Sequence, residues 1–507
     1  MTECKTKPVE FHALGSREVV AQFDGGDISS DGGGLLLREV EQRTGILDKF
    51  AACFTDYRNA DAVEHPVRDL VAQRVYALCM GYEDLNDHDA LRSDPLLAVV
   101  VGKTDPKGQH RRDAGDRGKA LAGKSTLNRL ELTKADATSS ERYKKIVMNP
   151  DAIDKRMVDH FLDAHHRAPH SITLDLDATD DPIHGNQEGR FFHGYYDSYC
   201  YLPLYVFCGE FLLSAQLRSA KIDPAKGALT DLQRIVAQIR KKWRRVHIVV
   251  RGDSGFCRDA IMSWCERQGI DYVFGLAKNV RLTKQIQDEL KQAETESVRT
   301  GEMVRIFKNL RYQTVNSWSR MRRVVAKAEH LKKGSNPRFV VTSLPVKLFP
   351  AAVLYETIYC ARGEMENRIK EQQMGLFADR TSTGTMRGNQ LRLYLSSIAY
   401  ILMQDLRRLG LKGTELERAQ CTTIRLKLLK IGAQIHVTVR RVWIRMAGGY
   451  PYSSIPASTP QSATDPLALL SESPLQSSNL SPNQRITMSV FTFGPTLWTR
   501  RVTRIRL

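Results

Sequence analysis

Two apolar runs near the middle of the chain each end on an aspartate. Ile172-Thr-Leu-Asp-Leu-Asp-Ala-Thr179 carries Asp177, and Ile248-Val-Val-Arg-Gly-Asp-Ser-Gly255 carries Asp253. A carboxylate at the end of a buried strand is costly to desolvate unless a partner or a cation neutralises it, so the fold has to bring something to these positions. A third acid, Glu366, stands on a predicted helix in Tyr359-Cys-Ala-Arg-Gly-Glu-Met-Glu-Asn-Arg-Ile-Lys370.

The pattern around the first two acids fixes the fold class. Predicted strands over 171–176, 199–208 and 211–217 precede a helix over 229–243, a strand over 246–250, a helix over 258–268 and a strand over 272–276. Three early strands followed by alternating helix and strand make a mixed α/β sheet with some antiparallel pairing, the order of an RNase H-like core. Residues 281–350 break the alternation with basic, β-prone runs and read as an inserted β-rich domain. Residues 1–165 carry helical periodicity, with Val67, Leu70, Val71, Val75 and Leu78 on one pattern, and read as a mainly helical region, which the resemblance given below would make the DNA-binding one. The core is therefore expected over 166–280 and again over 351–455, where Leu391 to Leu409 has the spacing of a buried helix. Beyond Pro456 the chain turns to Ser, Pro, Thr and Gln, and 456–507 is expected to be a disordered, low-complexity tail.

Charge points to the partner. Seventy-five Lys and Arg against 57 Asp and Glu give a formal charge of +18, concentrated over Arg299 to Lys333 and Arg407 to Arg445, so a polyanion is the expected ligand. The nine cysteines are scattered, odd in number and never spaced as Cys-x-x-Cys, which excludes a disulfide framework or zinc knuckle; they read as reduced thiols. With no charged-then-apolar leader and no apolar run of membrane-spanning length, the cytosol is the expected compartment.

The acids suit phosphodiester chemistry. Two divalent cations about 3.5–4 Å apart stabilise both the entering and the leaving oxygen of a phosphoryl transfer, and magnesium takes carboxylate oxygens without a His or Cys cage. Each acid also has a plainer reading. Asp175 lies on the same strand face as Asp177 and competes with it; Asp253 suits a cap for the following helix; Glu364 competes with Glu366 on another helix face. The Gly118 to Ser125 stretch fits the phosphate-loop pattern, but its charged approach, Gln109 to Arg117, is not the buried strand such a loop needs. Nucleotide hydrolysis is therefore set aside. The histidines form no ligand spacing with Glu, which sets zinc hydrolysis aside. Trp318, among Arg320, Arg322 and Arg323, reads as a core residue with a solvated basic flank rather than a base-stacking platform. The basic loop from Lys103 to Lys119 reads as a linker or a phosphate contact.

Together these motifs resemble the DDE transposases of bacterial insertion sequences, in the branch with a Tyr-Arg-Glu-Lys signature that is related to piggyBac. Tyr359, Arg362 and Glu366 match that spacing, while Gln373 stands where the family has lysine and Lys370, one turn after Glu366, is the nearest substitute. Leu174 to Thr179 and Arg251 to Phe256 match the first two motifs. The resemblance implies that Asp177, Asp253 and Glu366 hold Mg2+, with Mn2+ as a substitute, and that Tyr359, Arg362 and Lys370 contact the DNA backbone. It further implies a nucleoid-associated enzyme, acting as a homodimer on paired ends, that cuts double-stranded DNA at terminal inverted repeats and joins it to target DNA. Two other activities fit the same residues: a nuclease that cuts without joining, and an inactive protein that occupies DNA ends.

Overall fold

The computed structural model describes residues 7–331 and 333–452; the expected tail, 456–507, lies outside the described residues. Helices α1 (Gly34–Thr44), α2 (Val67–Met80) and α3 (Pro150–Asp163) come first, α4 (Ala228–Lys242) and α5 (Asp259–Arg267) alternate with the middle strands, and α6 (Gly363–Leu376) and α7 (Met386–Gly410) come last. The large sheet contains β1 (Ser171–Ala178), β2 (Leu204–Cys208), β3 (Phe211–Gln216), β4 (His247–Gly252), β5 (Asp271–Leu276), β6 (Val304–Tyr312), β7 (Arg322–Leu331) and β8 (Arg338–Thr342). Their order across it is β3-β2-β1-β4-β5-β8-β7-β6, with Gly334–Ser335 as a ninth, short strand against β7. β1, β4 and β5 are parallel neighbours; the remaining pairs are antiparallel.

Alternation along β1 decides what each face does. Ile172, Leu174 and Leu176 enter a core with Leu232, Ile235 and Ile239 of α4 and Ile261 of α5. Asp175 and Asp177 are therefore turned to the opposite face, which α6 approaches. On that side Tyr205 and Phe207 of β2 join a second core with α1, α2, α6 and α7.

The regions expected as separate domains share these cores. The α2 repeat is buried on nearly every side, because α7 and Pro95–Val101 pack against it and its partners come from both ends of the chain. At one such meeting Gly32 N–H donates to Ile431 O (2.8 Å) and Gly33 N–H to Leu429 O (3.1 Å). A Cβ on Gly33 would lie 1.6 Å from the Leu428 carbonyl oxygen, so this approach requires glycine.

Residues 281–350 also differ from the separate β-rich insertion expected. They open with helical segments, Val280–Gln285 and Gln287–Thr300, and their strands then extend the central sheet. Arg338–Thr342 pairs with the otherwise free edge of β5, and β7 is buried over Arg322 to Glu329. A strand buried on both faces needs hydrogen-bonding neighbours on both sides, which an edge position would deny it. Trp318 is buried against Tyr312, ring centroids 5.8 Å apart. Its basic flank is not solvated as expected: Arg322 is buried and paired with Asp259 at 2.7 Å and Glu266 at 2.8 Å.

Candidate active site

Strand register brings the two aspartates together. Gly252 of β4 pairs with Leu176 of β1, so Asp253 and Asp177, each one residue further on, emerge side by side at the same end of the sheet. The Asp253 carboxylate accepts from Gly255 N–H (2.8 Å) and caps the turn Ser254–Phe256. The capping reading and the cavity reading of Asp253 therefore coexist.

Glu366 arrives from α6, after a wide π-type turn at Leu354–Tyr359 and a tight one at Cys360–Arg362. Asp177, Asp253, Glu366, Arg362 and Lys370 all line one cavity of about 700 Å³. Tyr359 lies just behind it: a Cβ on Gly275 would come within 2.6 Å of the Tyr359 hydroxyl and 2.9 Å of Ser254 N, so that glycine lets the ring and the Asp253 turn close on β5. Lys370 has no ion-pair or hydrogen-bond partner among the described residues. Gln373, at the family's lysine position, donates to the Asp180 carbonyl (3.0 Å).

The structure separates Asp175 from Asp177. Asp175 is buried and takes both nitrogens of the Arg251 fork, Nε at 2.5 Å and Nη2 at 2.8 Å, while Arg251 Nη1 donates to Ile358 O (2.5 Å). That pair ties β1 and β4 to the turn before α6. Asp177 faces the cavity instead. Asp180 and Asp379 line the same cavity from loops that carry no periodic signal, and the second motif contains Arg251 without showing that it pairs with Asp175. The only available signal was the arginine two residues before Asp253, on the same strand face.

Five carboxylates and two cations line the cavity: Asp177, Asp180, Asp253, Glu366 and Asp379 against Arg362 and Lys370. Burial, with Asp253 and Glu366 adding to it and Arg362 opposing, pushes the Asp177 carboxyl up to about 7. Burial would lower Arg362, but Glu366 and Asp177 outweigh it and raise it. Its Nη1 lies 2.6 Å from Glu366 Oε1 and 4.0 Å from Asp177 Oδ2. Among the described residues, no three His, Cys, Asp or Glu side chains stand close enough to cage a metal ion as they are placed. The donor set nonetheless fits hard divalent cations: oxygen ligands only, in excess negative charge, around a carboxyl that burial makes costly to ionise.

Residues 11–463 match the family described as Transposase DDE domain group 1. The chain belongs to this family. Comparison with curated proteins found no match. Among solved structures, this transposase-family chain is similar to the cryo-EM structure of a piggyBac transposase synaptic complex with hairpin DNA. The identity is 11% and the TM-score 0.38, over 79% of this chain and 80% of that one. The phosphate-loop stretch has no place in this chemistry: Lys124 Nζ is held by Asp89 (3.1 Å) and Asn86 (3.2 Å), and a helical turn at Ala114–Asp116, not a strand, precedes it. No helix among the described residues is long and apolar enough to cross a membrane.

Proposed function

We propose that this chain is a transposase that cuts double-stranded DNA at the terminal inverted repeats of its element and transfers the strand to target DNA, from an RNase H-like core. The observation that carries the reading is the convergence of Asp177, Asp253 and Glu366, remote in sequence, on one acidic cavity beside Arg362. Magnesium, or manganese in its place, supplies charge neutralisation at the phosphate and eases deprotonation of the attacking hydroxyl or water. Asp177 and Asp253 would hold the cations from the sheet end. Glu366, half exposed and restrained chiefly by Arg362, holds them from α6. Arg362, at the mouth of this site, would pair with a DNA phosphate through a charge-assisted bond, and Lys370 and Tyr359 would grip the neighbouring backbone. Two such chains on paired ends give coordinated transfer.

The test is a strand-transfer assay with magnesium on DNA bearing the flanking inverted repeats. Joined products are expected. Asp253→Asn should lower the rate by more than about a hundredfold, since even outer-shell partners of a metal ligand are worth about 10–100-fold, while DNA binding persists. Cleavage without joining would assign a nuclease instead, and binding without chemistry by the native chain an end-occupying protein. Undiminished transfer by the Asp253 variant would refute the site.

A further inference from the structure

The cations of this chain fall into two populations. One is spent on the chain's own acids. In the basic loop, Lys103 meets Asp69 at 2.6 Å, Lys107 meets Asp27 at 2.7 Å, Arg111 meets Glu64 at 3.0 Å and Lys119 approaches Asp116 at 3.8 Å. Four of that loop's six Lys and Arg are thus already paired, which weighs against the phosphate contact considered for it from sequence.

The run Arg240-Lys-Lys-Trp-Arg-Arg245, which closes α4 and leads into β4, is different. Arg240 donates to Gln268 O (2.8 Å) and Lys242 pairs with Asp163 at 3.1 Å. Lys241, Arg244 and Arg245 are exposed and meet no acid among the described residues, and the same holds for Arg167 on the loop between α3 and β1. The acids of the adjoining elements are already taken: Asp163 by Lys49 and Lys242, Asp271 by His247 and Ser343. The helix dipole accounts for cations in the last turn of α4, but Arg244 and Arg245 lie beyond its end.

Their placement is rigid. Trp243, immediately before them, is buried, packs edge-on against Phe161 (5.3 Å) and His165 (5.4 Å), and its backbone N–H donates to Ile239 O (2.7 Å). Arg244 and Arg245 are thus held beside a cavity of about 480 Å³ that His170 and Lys242 also line. This cavity adjoins the starting ends of β1 and β4. Asp177 is six residues along β1 from Ser171, so the acidic cavity lies roughly 20 Å away at about 3.3 Å per strand residue.

We propose that this cationic cavity is a second contact for the sugar-phosphate backbone of duplex DNA, at the opposite sheet end from the acidic site. Unpaired guanidinium groups, carried on backbone that Trp243 anchors, match phosphate oxygens in planar, two-pronged geometry. A duplex is favoured over a single strand because the aromatic ring of the run is buried and offers no stacking platform. The choice of DNA as partner rests on the functional reading above; the grip itself does not depend on cleavage.

The test is binding of the full chain to a fluorescently labelled duplex of mixed sequence, measured by anisotropy across a potassium chloride series. Replacing both arginines, Arg244→Gln with Arg245→Gln, should weaken binding on the order of tenfold at low salt. It should also reduce the slope of log affinity against log salt by about 2, one phosphate contact for each arginine. Lys107→Gln, removing a cation already paired with Asp27, should change neither. Both arginines are exposed, so unchanged thermal melting identifies a folded variant, and Arg245→Gln alone gives a single-site check with a slope change of about 1. Unaltered slope and affinity in the double variant would overturn the proposal. So would an equal loss with Lys107→Gln, which would make the effect one of net charge, or tighter arginine-dependent binding to single-stranded nucleic acid. If magnesium-dependent cleavage failed while this binding held, the catalytic reading would fall and the backbone contact would stand.

Discussion

Asp175 and Asp177 are two residues apart on one strand face, yet their surroundings give them opposite duties. Asp175 is buried with its charge matched by the Arg251 fork. Removing one partner of such a pair strands the other, at a cost of about 3–5 kcal/mol. Asp175→Ala should therefore lower the denaturant midpoint by that equivalent, whereas Asp177→Asn should leave the fold at least as stable at neutral pH and remove only chemistry. Equal midpoints for the two variants would show that Arg251 is not dependent on Asp175. Sequence alternation placed both aspartates on one face but left the choice open, because it does not show where an arginine on the neighbouring strand points. The three acids themselves were legible, since each interrupts or follows a strongly patterned element; Asp180 and Asp379 were not, since loop residues carry no period.

At the scale of elements, the alternating strands and helices from 211 to 276 followed their periodicity, whereas the strand expected over 199–208 is broken at Leu202–Pro203 into Ser198–Tyr201, which joins a small separate sheet, and β2. The departures share one cause. Short apolar runs do not encode which sheet they join, so 281–350 read as an inserted β-rich domain although the open edge of β5 recruits its strands. Likewise, helical periodicity in α2 does not name its partner. That partner is α7, whose Leu402 is fully buried in the shared core. Leu402→Ala should cost about 2–5 kcal/mol, read as a fall in the urea midpoint with an unchanged slope. A loss below about 1 kcal/mol would mean that α7 does not anchor the N-terminal helices.

Across the whole molecule, several carboxyls are held above their ordinary values by burial. Glu41 is raised to about 7, with the hydrogen bond from Leu47 N–H and the charge of Arg68 opposing the shift. Asp154 is raised to about 6, chiefly by burial. A carboxyl raised in the fold binds its proton more tightly there than in the unfolded chain. Its contribution is complete below its unfolded value and is lost as pH climbs through the folded one. The melting temperature should accordingly fall between pH 5 and pH 8, and Glu41→Gln should flatten that decline. An identical profile for the variant would remove Glu41 from the account.

The junction of Gly32 and Gly33 with Leu428 to Ile431 has a bearing on biosynthesis. Helices α1 and α2 bury their sides against α7 and the segment after it, which leave the ribosome some 300 residues later by sequence position. At about 5–20 residues per second, the first apolar surfaces wait roughly 15–60 s for their partners. A nascent chain with so delayed a closure has to be shielded by a chaperone or risk aggregation, so the yield of folded enzyme depends on the protection available during translation as well as on the final stability.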